Sequence, residues 1–298
     1  MRLQDFVVLE DRGVLALSGA DARDFLQGLI SNDVGDLTPD HAIYAALLTP
    51  QGKYLFDFLL AQHGDEIWLD GDRQRLPELR QRLTMYRLRS KVTIEDRSDR
   101  LAVLALPAAP TALPSERGAA KGWHGGVLAI DPRLPELGAR AWLPRDEVAD
   151  AMAELGLAPA PSDDYERARL ELGVPGTDDL VVQKSLLLES GFEELAGVAF
   201  DKGCFVGQEL TARTKHRALV RKRLLPVQVE GPLPAPGTPL MLGEREAGEM
   251  RGGRDGRGIA LVRLEMLGDG MPTLSAGESR VTPSWPGWIA RPAPTPAN

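Results

Sequence analysis

The segment Asp201-Lys202-Gly203-Cys204-Phe205-Val206-Gly207-Gln208-Glu209, continuing into Leu210-Thr211-Ala212-Arg213, holds the only cysteine of a 298-residue chain. Gly203 and Gly207 bracket that cysteine, and a glycine in a loop marks backbone at positive φ or a close backbone approach. From Gln208 to His216 there is no breaker and few β-branched residues, so the spacing predicts a short helix. Cys204 then stands just ahead of a helix N-terminus, where unpaired N–H groups and the helix dipole favour an anion. Lys202 adds a positive charge. Both would favour the thiolate, the reactive form of cysteine. The alternative is a small buried hydrophobe, the commonest use of a lone cysteine.

Working outward, the composition is that of an ordinary globular chain, 43% hydrophobic and 26% charged, with length for two or three domains. A single cysteine excludes an internal disulfide and cannot hold an iron–sulfur cluster, which takes four thiolates. His41, His63, His124 and His216 have no ligand spacing, so no metal site is expected. Residues Met1 to Glu10, with acidic residues, a single Arg and no long apolar run, read as neither a signal peptide nor a transit peptide, and no segment approaches the ~20 apolar residues of a membrane span. A cytoplasmic protein without membrane contact is the expectation. The net charge of -8 argues against general nucleic-acid binding. Positive charge is concentrated in Arg213, Lys215, Arg217, Arg221, Lys222 and Arg223, by default a solvated face. No Walker loop, Gly-x-Gly-x-x-Gly or nucleophile elbow is present.

Phe6–Leu9 and Val14–Leu17 read as a hairpin, and Asp21 opens a helix toward Ile30. Ile43–Leu48 and Tyr54–Ala61 flank the turn Thr49-Pro50-Gln51-Gly52-Lys53. Leu76, Leu79, Leu83 and Tyr86 share one face of a helix over 72–87. Pro144 is expected to start a helix that ends at Gly156, and Ser162 to cap one that ends at Gly173. Beyond Gly231-Pro232, short apolar runs between glycine turns predict a small β-barrel.

Lys202-Gly203-Cys204-Phe205-x-Gly207-Gln208-Glu209 with Ala212-Arg213 resembles the signature of the YgfZ family. These are folate-binding maturation factors for iron–sulfur clusters, related to the T-protein (aminomethyltransferase) of the glycine cleavage system. Gly19-Ala20-Asp21, Phe25-Leu26-Gln27-Gly28, Asn32-Asp33-Val34 and the Gly52-Lys53 turn also match. So does Arg169-Leu170-Glu171-Leu172-Gly173, which resembles a segment shared by the T-proteins. The resemblance implies an α+β, T-protein-like three-domain arrangement, with antiparallel sheets, flanking helices and a C-terminal small β-barrel. Residues 1–46 with 158–220 would form the folate-binding domain, 47–157 an inserted domain, and 221–298 the barrel and tail.

The implied cofactor is tetrahydrofolate, in a channel between the domains. Its implied contacts are Tyr165, Arg169, Glu171 and Arg213, with Arg12 standing where the family places a second aromatic. On residues alone, Tyr165 is a core residue, and Arg169 and Glu171 are solvated on opposite helix faces. The implied working part is Cys204 with Lys202, in a loop with Gly203, Phe205, Gly207, Gln208 and Glu209. The implied function is an accessory factor for iron–sulfur cluster assembly or repair, with assembly proteins or cluster-dependent enzymes, including tRNA-modifying ones, as partners. Two alternatives stand beside it: a folate-dependent one-carbon transferase, and a regulator of tRNA modification acting through the basic segment. The T-proteins place an Asp in their inserted domain to position the reacting folate nitrogen. Leu101–Leu106 offers no such setting, which speaks against classical aminomethyl transfer.

Overall fold

The computed structural model describes residues 5–107, 113–216, 220–268 and 270–290. Its first part runs β1 (Asp5–Val8), β2 (Arg12–Ser18), α1 (Ala22–Gln27), β3 (Ile43–Leu48), β4 (Tyr54–His63), β5 (Glu66–Asp72), α2 (Leu76–Arg87) and β6 (Thr93–Asp96). There follow β7 (Leu101–Leu106), β8 (Ala120–Trp123), β9 (Gly126–Ile130), β10 (Ala139–Pro144), α3 (Val148–Leu155), β11 (Ala158–Pro159) and α4 (Ser162–Leu172). A long irregular stretch leads to α5 (Gln208–His216). The chain then enters β12 (Lys222–Glu230), β13 (Pro239–Leu242), β14 (Arg245–Arg254), β15 (Arg257–Arg263), β16 (Leu274–Ala276) and β17 (Ser279–Pro283).

The strands form a five-stranded sheet, β3-β4-β5-β2-β6, a six-stranded sheet, β11-β1-β7-β10-β9-β8, and a closed barrel, β12-β15-β14-β13-β16-β17. The two open sheets face each other. Along β3, Tyr44, Ala46 and Leu48 enter the core between them, while Ile43, Ala45 and Leu47 pack outward against α1 and α2. Along β7, Leu101, Val103 and Ala105 join the same central core, and Ala102, Leu104 and Leu106 pack under α3. Side chains alternate across a strand, so a strand covered on both faces reads as one unbroken apolar run. The central core also takes in Tyr165 and Leu170 of α4, Phe205, and Leu224, Ile259 and Leu261 of the barrel.

The structure departs from the sequence reading in three places. β1 and β2 do not pair as a hairpin: β1 pairs with β7 and β11, and β2 with β5 and β6. Each strand is apolar on both faces, so each needs its own covered sheet. Pro144 closes β10 rather than opening a helix, and α3 starts only at Val148. The domain boundary expected between residues 46 and 47 falls inside β3, whose ladder to β4 spans it. Gly156 and Gly173 do end α3 and α4 in the left-handed conformation, with φ of 65° and 71°. Among the described residues no helix is long and apolar enough to cross a membrane.

Candidate functional site

A cavity of about 740 Å3 lies where the two open sheets, α4 and strand β14 of the barrel converge. Five arginines line it, Arg12, Arg133, Arg140 and Arg169 with Arg254 of β14, together with Tyr165, Asp57 and Asp179. Burial of so many charges is tolerable only when each is paired, and most are. Arg12 donates from Nε to Asp70 Oδ1 at 2.6 Å, and Trp142 Nε1 donates to Asp70 Oδ2 at 3.1 Å. Asp131 accepts from Arg133 Nε and Nη2 at 3.0 and 2.7 Å. Burial would raise the pKa of Asp131, but Arg133 and Arg140 hold it below the usual carboxylate range. Arg169 donates to Asp179, to the Val174 carbonyl and to Glu166, which ties the end of α4 to the loop that follows.

Two groups keep unused capacity. Asp57 is 6% exposed and accepts from Tyr54 Oη (2.7 Å), Tyr44 Oη (3.2 Å) and Thr177 Oγ1 (3.0 Å). Burial, and then the Asp57 charge, push both phenols well above their ordinary pKa, so they stay donors. A carboxylate has about four lone-pair sites, so one remains open. Arg140 is 2% exposed and donates from Nη2 to Tyr165 Oη at 2.9 Å, yet its buried Nε and Nη1 have no partner. Asp72 and Asp178 also line the cavity, and burial, with Asp72 and Asp179 nearby, raises the pKa of Asp178.

Of the expected ligand contacts, Tyr165, Arg12 and Arg169 line this cavity, and Glu171 and Arg213 do not. Tyr165 and Arg169 are four apart on α4 and share a face, whereas Glu171 is two further on and points away. It stands exposed beside Arg257 Nη1, 3.2 Å away. Arg213 is exposed on α5 and pairs with Glu209. Lys215 and Arg223 of the basic segment pair with Glu193 and Glu194, and Arg217 lies outside the described residues. Asp57, Asp70, Asp131, Arg133, Arg140 and Thr177 were not singled out in the sequence. For Asp57, Asp70 and Arg140 the signal is a charge inside an apolar strand, as in Leu55-Phe56-Asp57-Phe58-Leu59; Asp131, Arg133 and Thr177 lie outside the strands and carry none. A buried cavity acid therefore does exist, on β4 rather than near β7.

The cysteine loop lies elsewhere; none of residues 201–209 lines the cavity. Cys204 is exposed. Lys202 is not free to serve the thiol. It is 7% exposed, and its Nζ donates to the carbonyls of Ile30 at 2.8 Å and Asn32 at 2.6 Å. Burial lowers its pKa to about 8, against the pull of Asp33. Phe205 is buried in the central core, and the Val206 amide donates to the Gly28 carbonyl. Gly207 has φ +84°, and a Cβ there would lie 2.5 Å from the Thr49 carbonyl oxygen. The glycine thus lets the loop seat against the β3–β4 turn, and Gln208 then starts α5. Among the described residues, no three His, Cys, Asp or Glu side chains are placed to hold a metal ion.

Residues 221–291 match the family model of the CAF17 C-terminal beta-barrel domain. Over its length the chain is similar to glycine cleavage system aminomethyltransferase T from Bartonella henselae. The TM-score is 0.75 at 14% identity, covering 96% of this chain and 86% of that one, which establishes the shared fold. In sequence it is 34% identical to the mitochondrial iron–sulfur cluster assembly factor IBA57 of Mus musculus, over 93% of this chain and 84% of the mouse protein. The Homo sapiens protein of that name is also 34% identical, over 87% of this chain and 77% of its own length. These relatives are named mitochondrial, which overturns the cytoplasmic placement expected from the sequence. With the aminomethyltransferase fold, the CAF17-type barrel and these relatives together, the chain belongs to the IBA57-type family of iron–sulfur cluster assembly factors.

Proposed function

We propose that this protein is a tetrahydrofolate-binding accessory factor of the YgfZ type. It would support assembly or repair of clusters on cluster-dependent enzymes, tRNA-modifying ones included. Folate would occupy the cavity, and the exposed Cys204 loop would meet the partner. The observation that carries the folate reading is Arg140, which lines the cavity and whose buried Nε and Nη1 have no partner. An orphaned buried donor costs about 1–3 kcal/mol, so a ligand acceptor there recovers that cost. A pterin offers ring acceptors to Arg140 and amino donors to the open site on Asp57. A volume of about 740 Å3 is of the size that holds a drug-sized ligand. Tyr165, fixed by Arg133 and Arg140, would orient the ring. Bound folate would supply a carrier of one-carbon units.

The test is calorimetric titration with tetrahydrofolate. Affinity in the micromolar range, about -8 kcal/mol or somewhat weaker, is expected. Arg140→Met should lose about tenfold or more in affinity while staying folded, since it removes two donors that have no partner among the described residues. No heat at ~1 mM folate, or equal affinity in the variant, would overturn the reading.

A further inference from the structure

A second cleft, of about 300 Å3, lies at the junction of the β3–β4 turn, the 183–190 strap and the barrel. Three backbone hydrogen bonds build it. The Tyr54 amide donates to the Ser185 carbonyl, the Gln183 amide to the Tyr54 carbonyl, and the Leu224 amide to the Glu189 carbonyl. They bring Lys53, Lys184 and Lys222 to one rim from three separate segments. On the floor, Leu224 of β12 neighbours Leu261 of β15, which in turn faces Glu249 of β14. Arg251 completes the wall. Its side chain is 10% exposed, and Nη2 pairs with Glu249 at 2.7 Å. Its buried Nε has no partner. Among the described residues, Lys53, Lys184, Lys222 and Glu189 form no ion pair. Burial raises the pKa of Glu189, against Lys222, Lys53 and Arg251.

We propose that this cleft binds a small phosphoryl-bearing anion, independently of the central cavity. Four cations stand against Glu189 and Glu249, an excess that matches a dianion. Three of the cations are lysines approaching from different directions. Separate point charges suit the tetrahedral oxygens of a phosphoryl group, whereas a planar carboxylate is met best by an arginine fork. Arg251 lines the cleft beside the lysines, and its Nε has no partner. The apolar floor would exclude water from beneath the anion and strengthen each charge interaction.

Titration of the full chain with pyrophosphate at fixed ionic strength tests this, with inorganic phosphate and citrate as parallel arms. Pyrophosphate should bind with a Kd of about 1 mM or tighter, and citrate more weakly. Lys53→Gln with Lys222→Gln should reduce pyrophosphate affinity by about tenfold or more and leave tetrahydrofolate binding unchanged. Lys184→Gln, at an exposed position, should give a smaller loss without risk to folding. Retained affinity in both variants, or no binding at ~10 mM pyrophosphate, would overturn the proposal. Tighter binding of citrate would overturn the phosphoryl assignment.

Discussion

At the scale of single residues, Lys202 shows how a motif position can serve the fold rather than the chemistry beside it. Its ammonium satisfies two carbonyls just past α1 and lies over the Phe205 ring, 5.2 Å from its centre. Lys202→Met keeps the length but orphans both carbonyls, so it should destabilise the protein by about 1–3 kcal/mol in urea unfolding. The pH dependence has a definite sign. Burial holds the folded pKa near 8 while the ordinary value is 10.5, so between these the unfolded chain binds more protons. Stability then rises with pH across that window. The stability difference between wild type and Lys202→Met should therefore grow from pH 8 to pH 10; a flat difference would contradict a desolvated amine. Residues of this kind were legible as a motif, but their role was not. A run of letters carries no information on whether a lysine turns toward its cysteine or away from it. The cavity charges divide: the resemblance pointed to Arg12 and Arg169, whereas Asp57 and Arg140 each sit in an apolar strand, and only tertiary folding brings them to one cavity.

At the scale of elements, local chemistry and tertiary context divide the outcome. The left-handed glycines ending α3 and α4, and the glycine-rich turns of the barrel, were readable because each ending is decided within a few residues. Strand partners were not readable from the same local signals. Phe6–Leu9 and Val14–Leu17 look alike, and only the connection at Leu9–Arg12 separates them into two sheets. The cysteine loop offers a direct test of local requirement, because its two glycines differ. At Gly207 a side chain meets backbone and the φ is unfavourable to L-residues, whereas a Cβ on Gly203 meets nothing within 4 Å. Gly207→Ala should cost roughly 1–3 kcal/mol in chemical denaturation, as strain at a left-handed position does. Gly203→Ala should stay within about 0.5 kcal/mol of wild type, like other exposed substitutions. Equal costs would mean that the loop does not seat on the β3–β4 turn as described.

At the scale of the whole molecule, the family relation and the geometry together separate two surfaces. The cavity is walled by both sheets, α4 and β14, while Cys204 sits on a loop held by Gly28, Thr49 and the central core. Phe205 and Tyr165 belong to that same core, so the loop and cavity share a foundation without sharing a wall. On the proposed function, the exposed thiol would meet a partner protein rather than the ligand of the cavity. Iodoacetamide should label Cys204 in the native protein at neutral pH, and saturating tetrahydrofolate should leave the labelling rate within about twofold, because the ligand shields only what it touches. Cys204→Ser should keep both the fold and the folate affinity, since an exposed side chain contributes little to either. The same variant should impair the activity of cluster-dependent enzymes in cells lacking the wild-type protein. Strong protection of the thiol by folate would join the two surfaces into one site. Full complementation by Cys204→Ser would instead leave the loop a structural role, with Lys202 and Gly207 as its reason for being.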